Sequence, residues 1–128
     1  MTYESKCAEV TLCIVDTLKI ALSDNEIVLD EWLSNGDAVV CLGEMYKEIF
    51  TDVFGSNIIT PEIHDRLYLF GMNLVFALQT FKGRAADLDD LYLLGSTFIV
   101  QQMETLHIWC DELEVSFKQT TDDAYGEF

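Results

Sequence analysis

Glu104 and His107 stand three residues apart in Glu104-Thr105-Leu106-His107, the ExxH spacing by which a helix offers one carboxylate and one imidazole to a di-iron centre. Such a centre needs a second ExxH and two further glutamates. The other histidine, His64, has Pro61 three residues before it, so no second pair exists. His107, Cys110 and Asp111 share a helical face and can supply part of a zinc shell, but no second ligand cluster accompanies them. Cys7, Cys13, Cys41 and Cys110 form no CxxC, and the first three sit among apolar residues, where a free thiol behaves as a small hydrophobe. No GxSxG elbow, P-loop or GxGxxG is present. The expectation is a chain with no metal, no cofactor and no catalytic residues.

Two further segments bear on chemistry. Asp24 to Trp32, DNEIVLDEW, resembles the second half of an EF-hand loop, with Ile27 at the bridging position and Glu31 at the last. Counting back places Ile20 and Leu22 at the first two ligand positions, where calcium requires oxygens. A helix–turn–helix junction without calcium is therefore expected. Glu44 and Glu48 precede Glu62-Ile63-His64-Asp65, which runs on into Arg66-Leu67-Tyr68-Leu69-Phe70. The latter stretch resembles the second motif of the all-helical nucleotide pyrophosphohydrolases, and the resemblance implies Mg²⁺ held by an acidic pair and an ExxD on successive helices. This chain departs from that pattern in lacking the doubled glutamate and in placing Glu62 on a first helical turn, where the helix dipole alone favours an acid. Its net charge of −16 would also repel a triphosphate.

The elements that must position these residues are helical throughout. Apolar residues recur at three- and four-residue steps through Tyr3, Cys7, Val10, Ile14, Leu18 and Ala21, predicting a helix over 3–22. A short helix over 26–34 ends at Asn35-Gly36, and Asp37 is read as the cap of a helix over 38–54 with the face Val39, Leu42, Tyr46, Ile49 and Val53. Thr60-Pro61-Glu62 is a strong start signal for a helix over 61–82, apolar on most sides and hence central. The last helix is expected over 86–118, with Gly95 a point where it kinks or splits. The fold class predicted is all-α: a compact single-domain bundle of five to six helices over 1–118, with a central apolar helix and a long C-terminal one. An acidic, frayed tail over 119–128 follows. The uncharged runs 67–81 and 91–103 are too short to span a membrane. The polar N-terminus Met1–Lys6 lacks a secretory pattern, which points to a cytoplasmic protein, of a bacterium or of a virus-infected host cell, with reduced thiols.

Charge is what remains to carry function. The 128 residues hold 23 acids against 7 bases. Residues 1–34 carry −5, residues 35–84 carry −2, and residues 85–128 carry −9. So acidic a surface excludes direct binding to nucleic acid or to an anionic membrane. It exceeds the ~2–8 net charges that solubility needs, and steering toward a basic partner explains the excess. Extensive basic surfaces occur chiefly on proteins that handle nucleic acids. The expected function is an acidic inhibitor of a nuclease or nucleic-acid-guided complex: an immunity protein, a phage-type anti-defence (anti-CRISPR) inhibitor, or a partial nucleic-acid mimic. Mimicry by one helix is excluded by magnitude. B-DNA carries a charge every ~1.7 Å, whereas the last helix, about 48 Å long, offers one per about 7 Å. The contact surface is placed on Asp87, Asp89 and Asp90 and on Asp111, Glu112, Glu114, Asp122 and Asp123, flanking an apolar patch with Trp109 as its anchor and Trp32 and Tyr92 as further candidates. The competing expectation is a secretion-type chaperone or dimeric adaptor, which exposes a long apolar face. Monomer and homodimer both remain open.

Overall fold

The structure is a computed structural model and describes residues 3–55, 60–102 and 105, the side chains of 3–5 and 7 excepted. Its regular structure is entirely helical: α1 (Tyr3–Asp24), a 3₁₀ turn (Glu26–Val28), α2 (Leu29–Ser34), α3 (Asp37–Phe54), α4 (Pro61–Lys82) and α5 (Leu88–Gln101). Among the described residues no helix is long and apolar enough to cross a membrane. The expected all-α bundle is what forms. The expected tail over 119–128 and the last helix beyond Gln102 lie outside the described residues, Thr105 alone excepted.

Local chemistry sets the helix ends. Thr60 Oγ1 accepts the Ile63 N–H at 3.3 Å, Pro61 occupies the first turn beside Glu62, and Lys82 falls in the last turn. These groups satisfy orphan donors and oppose the dipole at both ends. At α5 two acids work reciprocally: Asp87 Oδ1 accepts the Asp90 N–H at 2.8 Å, and Asp90 Oδ2 accepts the Ala86 N–H at 2.9 Å. That pair starts the helix at Leu88 rather than at 86. Asp37 does not cap α3 as expected. Asn35 Oδ1 accepts the Asp37 N–H at 2.9 Å, and Gly36, at φ +91°, takes the cap position. A left-handed backbone there admits glycine without strain, which frees Asp37 to act as a first-turn acid.

The four long helices form a ring. α1 packs on α3 and α5, α4 packs on the same two, and α2 closes one end against α3 and α4. Neighbours run antiparallel: Lys6 near the start of α1 meets Phe54 at the end of α3, and Lys19 near the end of α1 meets Tyr92 near the start of α5. The core is Val10, Ile14, Leu18 and Leu22 from α1, Leu42, Met45, Tyr46 and Phe50 from α3, Leu67, Leu74, Val75 and Leu78 from α4, and Leu91 and Ile99 from α5. The α3 face is rotated from its expected position, because Val39, Ile49 and Val53 are only partly buried and Ala38, Met45 and Phe50 take the centre. Tyr46 crosses the interior to donate to Gln102 Oε1 at 2.7 Å, and burial pushes its phenol pKa far up. The Gln79 amide of α4 donates to the Leu33 carbonyl and ties α2 down.

The closest helix approach lies between α3 and α4. A Cβ added to Gly71 would stand 2.7 Å from the Cα and N of Gly43 and 2.9 Å from the carbonyl carbon of Leu42. A Cβ added to Gly43 would instead overlap the Tyr68 ring. Gly95 admits Leu18 and Leu78 in the same way, and α5 passes through it unbroken, so it is a packing notch rather than a kink. Backbone cannot yield as a ring can. Gly71→Ala is therefore expected to destabilise the fold by about 2 kcal/mol, an overpacking cost of ~3 offset by ~1 of helix propensity. Gly43→Ala should cost about half as much, since Tyr68 can swing outward. Urea denaturation of both variants checks the order, and equal losses would contradict it.

Candidate functional site

The residues expected to form a contact surface divide into two groups. Asp87, Asp89 and Asp90 are described, with Asp87 and Asp89 exposed and Asp90 half-buried. Asp87 and Asp90 already serve the α5 cap, so part of their charge answers the helix N-terminus. Trp109, Asp111, Glu112, Glu114, Asp122 and Asp123 lie outside the described residues, as do Glu104, His107 and Cys110. Of the aromatic candidates, Trp32 is buried beside Leu33 and forms core, not contact surface. Tyr92 is half-buried with Lys19 5.8 Å above its ring.

The carboxylates of the pyrophosphohydrolase-like motif are turned to other partners. Glu44 accepts a hydrogen bond from Tyr68 and faces Lys47 at 3.9 Å. Glu62 pairs with Arg66 at 3.1 Å on its own helix, and Asp65 lies 3.7 Å from His64. Glu48 is exposed. Among the described residues no three histidine, cysteine, aspartate or glutamate side chains converge to hold a metal. The hydrogen bond to Glu44 raises the Tyr68 phenol above its ordinary pKa, with desolvation and the charges of Glu44 and Glu48 adding to it.

The basic residues explain how the acidity is displayed. Residues 3–102 contain sixteen acids and six bases, and every one of those bases is engaged locally. Lys47, Arg66 and Lys82 pair with Glu44, Glu62 and Asp30. Lys6, Lys19 and Arg84 lie over the rings of Phe54, Tyr92 and Phe81 at 5.3–5.8 Å. Glu9, Asp16, Asp24, Glu26, Glu31, Glu48 and Asp52 have no ion-pair partner among the described residues. Most of the negative field therefore faces solvent uncompensated.

One end of the bundle combines that field with shape. Between α2 and the α4–α5 connection run two adjoining grooves of about 320 and 230 Å³, which share Glu26, Leu29 and Lys82. Asp30 and Glu31 line the first, and Asp87, Leu88 and Leu91 line the second. Ile27, on the 3₁₀ turn at their edge, is 99% exposed. It is the most exposed large hydrophobic side chain of the described residues, and acids stand on either side of it in the chain and across the groove. By sequence this segment reads as an incomplete calcium loop and a short helix over 26–34, with Trp32 rather than Ile27 as its candidate contact residue. The available signal was an isoleucine, in a run of acids, that belongs to the apolar stripe of neither α1 nor α2.

The α1–α3 side is acidic as well. Cys13, half-buried, has its thiol pushed up by desolvation and then by Glu9, Asp16 and Asp52. Cys41 is raised by partial covering of its sulfur and then by Asp24 and Glu48. Cys41 is nonetheless a surface residue, where a buried thiol was expected. Compared with known proteins, the chain matches no family model, and no curated protein or solved structure is significantly similar to it.

The two thiols report the local field directly. With the other cysteines replaced by serine, the alkylation rate of Cys41 should rise with pH to a midpoint above 9.0. Asp24→Asn with Glu48→Gln should lower that midpoint without abolishing the whole elevation, because desolvation is the larger cause. A midpoint at or below 9.0 in the parent chain would show that the acids do not act there.

Proposed function

We propose that this protein is a non-catalytic inhibitor that captures and blocks a basic, nucleic-acid-processing partner in the cytoplasm of a bacterium or of a virus-infected host cell. The observation that supports this reading is the α2 end of the bundle: a fully exposed Ile27 set among Glu26, Asp30, Glu31 and Asp87. Such a site has a division of labour. Unpaired acids raise the rate of encounter with a positive surface and orient it. Once docked, a protruding apolar side chain that the partner covers slows departure, since desolvated central contacts carry most of the binding energy. Lys82, held by Asp30, keeps the groove from being uniformly negative and discriminates among partners by where their own charges fall. The acids at 111–114 and 122–123 extend the same field in this proposal.

A second reading is favoured by a different observation. Leu69, Phe76, Leu93 and Val100 are exposed on α4 and α5, as a secretion-type chaperone or dimeric adaptor requires. Ionic strength separates the two. After capture from the native host and identification by mass spectrometry, an inhibited partner should be basic, and its association rate should fall about tenfold between low and high salt. Charge reversal at Asp87, Asp89 and Glu31 together should slow association, whereas Ile27→Ala should mainly speed dissociation. Reversal at Asp111, Glu112 and Glu114 tests the C-terminal acids in the same assay. A salt-independent association rate with an unfolded client would replace the inhibitor reading with the chaperone one.

A further inference from the structure

The two grooves at the α2 end join apolar walls to a charged rim. Leu29, Ala85, Leu88 and Leu91 supply the apolar lining, and Ile27 stands at the edge. The charged lining is Glu26, Asp30, Glu31 and Asp87 against Lys82, four carboxylates to one ammonium and a net −3. Glu26 and Glu31 have no ion-pair partner among the described residues, and Asp87 gives one oxygen to the α5 cap. Lys82 lines both grooves and shows how they take a cation. Its side chain is 32% exposed, while Asp30, which holds its ammonium, is 83% exposed. Most of the lysine is therefore covered while its charged end meets a carboxylate at the surface, as a long cation lies along apolar surface. The acids are strung along the grooves, and among the described residues no three histidine, cysteine, aspartate or glutamate side chains converge on one point. A compact metal ion has no seat there, whereas an extended cation with several donors does.

We propose that these grooves receive an arginine side chain of the partner protein, with Lys82 as a built-in competitor for the same carboxylates. The inference rests on the inhibitor reading for what the partner is, and adds which side chain is gripped. Charge complementarity selects a cation, and the apolar walls select one carried on a stem. Arginine suits the site better than lysine. Its guanidinium is planar and weakly hydrated, and its five donors can meet carboxylates on two walls at once, whereas an ammonium is a strongly hydrated point charge. Glu26 lines both grooves, Glu31 only the first and Asp87 only the second, so acceptors are offered from either side. Apolar residues next to that arginine in the partner cover Ile27. Lys82 neutralises Asp30 in the free protein and repels an incoming cation, so a side chain without the stem contacts is turned away. Removing its charge therefore tightens the grip on arginine, an effect that a merely structural Lys82–Asp30 bridge does not produce.

The test is an NMR titration of the full, isotope-labelled chain with short capped peptides that alternate leucine with arginine, lysine or citrulline, the last a neutral isostere of arginine. Amide signals of Glu26–Glu31, Lys82 and Ala85–Leu91 should move, and those of the α1–α3 side should not. The arginine peptide should bind about fivefold more tightly than the lysine one, and the citrulline peptide should not bind. Lys82→Met should tighten arginine binding about fivefold, and Asp30→Asn with Glu31→Gln should weaken it about tenfold. Two controls make the same changes of net charge elsewhere: Lys47→Met, and Asp16→Asn with Asp52→Asn, should each alter it by less than about twofold. Should the methionine variant lose its helical circular dichroism, Lys82→Gln takes its place with the same expectation. Equal binding of the lysine or citrulline peptide overturns the proposal, as does a Lys82 variant that binds arginine no better than the parent chain. Controls that shift binding as far as the groove variants also overturn it, since net charge alone would then be the cause. The inhibitor reading fails separately, because it turns on whether the captured partner is basic and processes nucleic acid, whatever peptide the grooves prefer.

Discussion

Two glycines meeting across helices hold the architecture. Gly71 on α4 presents its bare Cα to the backbone of Gly43 and Leu42 on α3, and nothing larger than hydrogen fits between them. Close backbone contact of this kind fixes both the separation and the rotation of the pair, because interiors are packed to crystal-like density and do not deform continuously. With α3 and α4 locked, Tyr46 stacks on Phe70 at 6.1 Å and reaches Gln102 beyond, which draws in the end of α5. The Gln79 bond to Leu33 then seats α2. The positions of α1 and α5 follow as the two helices that fill the remaining sides of the ring.

That geometry sorts the charge. Once α4 and α5 are neighbours, the two uncharged runs of the sequence lie on adjacent helices, and α1, α2 and α3 carry most of the unpaired acids. Engagement of all six described bases within the molecule, by ion pairs or over aromatic rings, keeps the acidic surfaces from being neutralised in place. Each such contact is worth little alone, about 1 kcal/mol or less at an exposed site. Their collective effect is on the field rather than on stability. The molecule presents one negative end with a protruding isoleucine.

Helix existence and most helix ends were legible in the chain, because they depend on neighbours in sequence. Thr60-Pro61-Glu62 and Lys82 mark α4 by satisfying backbone groups within a turn or two. Where two local candidates compete, the pattern is ambiguous: Asn35-Gly36-Asp37 contains three cap-forming residues, and the left-handed glycine decides among them. The α3 face was misjudged for a tertiary reason. Val39, Ile49 and Val53 have the right spacing, but the Gly43–Gly71 contact rotates Ala38, Met45 and Phe50 inward. The acidity was plain as a total, and Asp87, Asp89 and Asp90 were identified individually. Ile27 was not, since its exposure arises from a 3₁₀ turn that lifts it off both adjoining helices.

The primacy of the α3–α4 contact is tested most directly by native-state hydrogen exchange. Amides of Leu42–Tyr46 and of Gly71–Val75 should be the slowest in the described part of the chain and should open only with global unfolding, while those of α2 open through smaller, local events. Exchange of the α3 and α4 amides through a low-energy opening, with α1 and α5 still protected, would contradict the account.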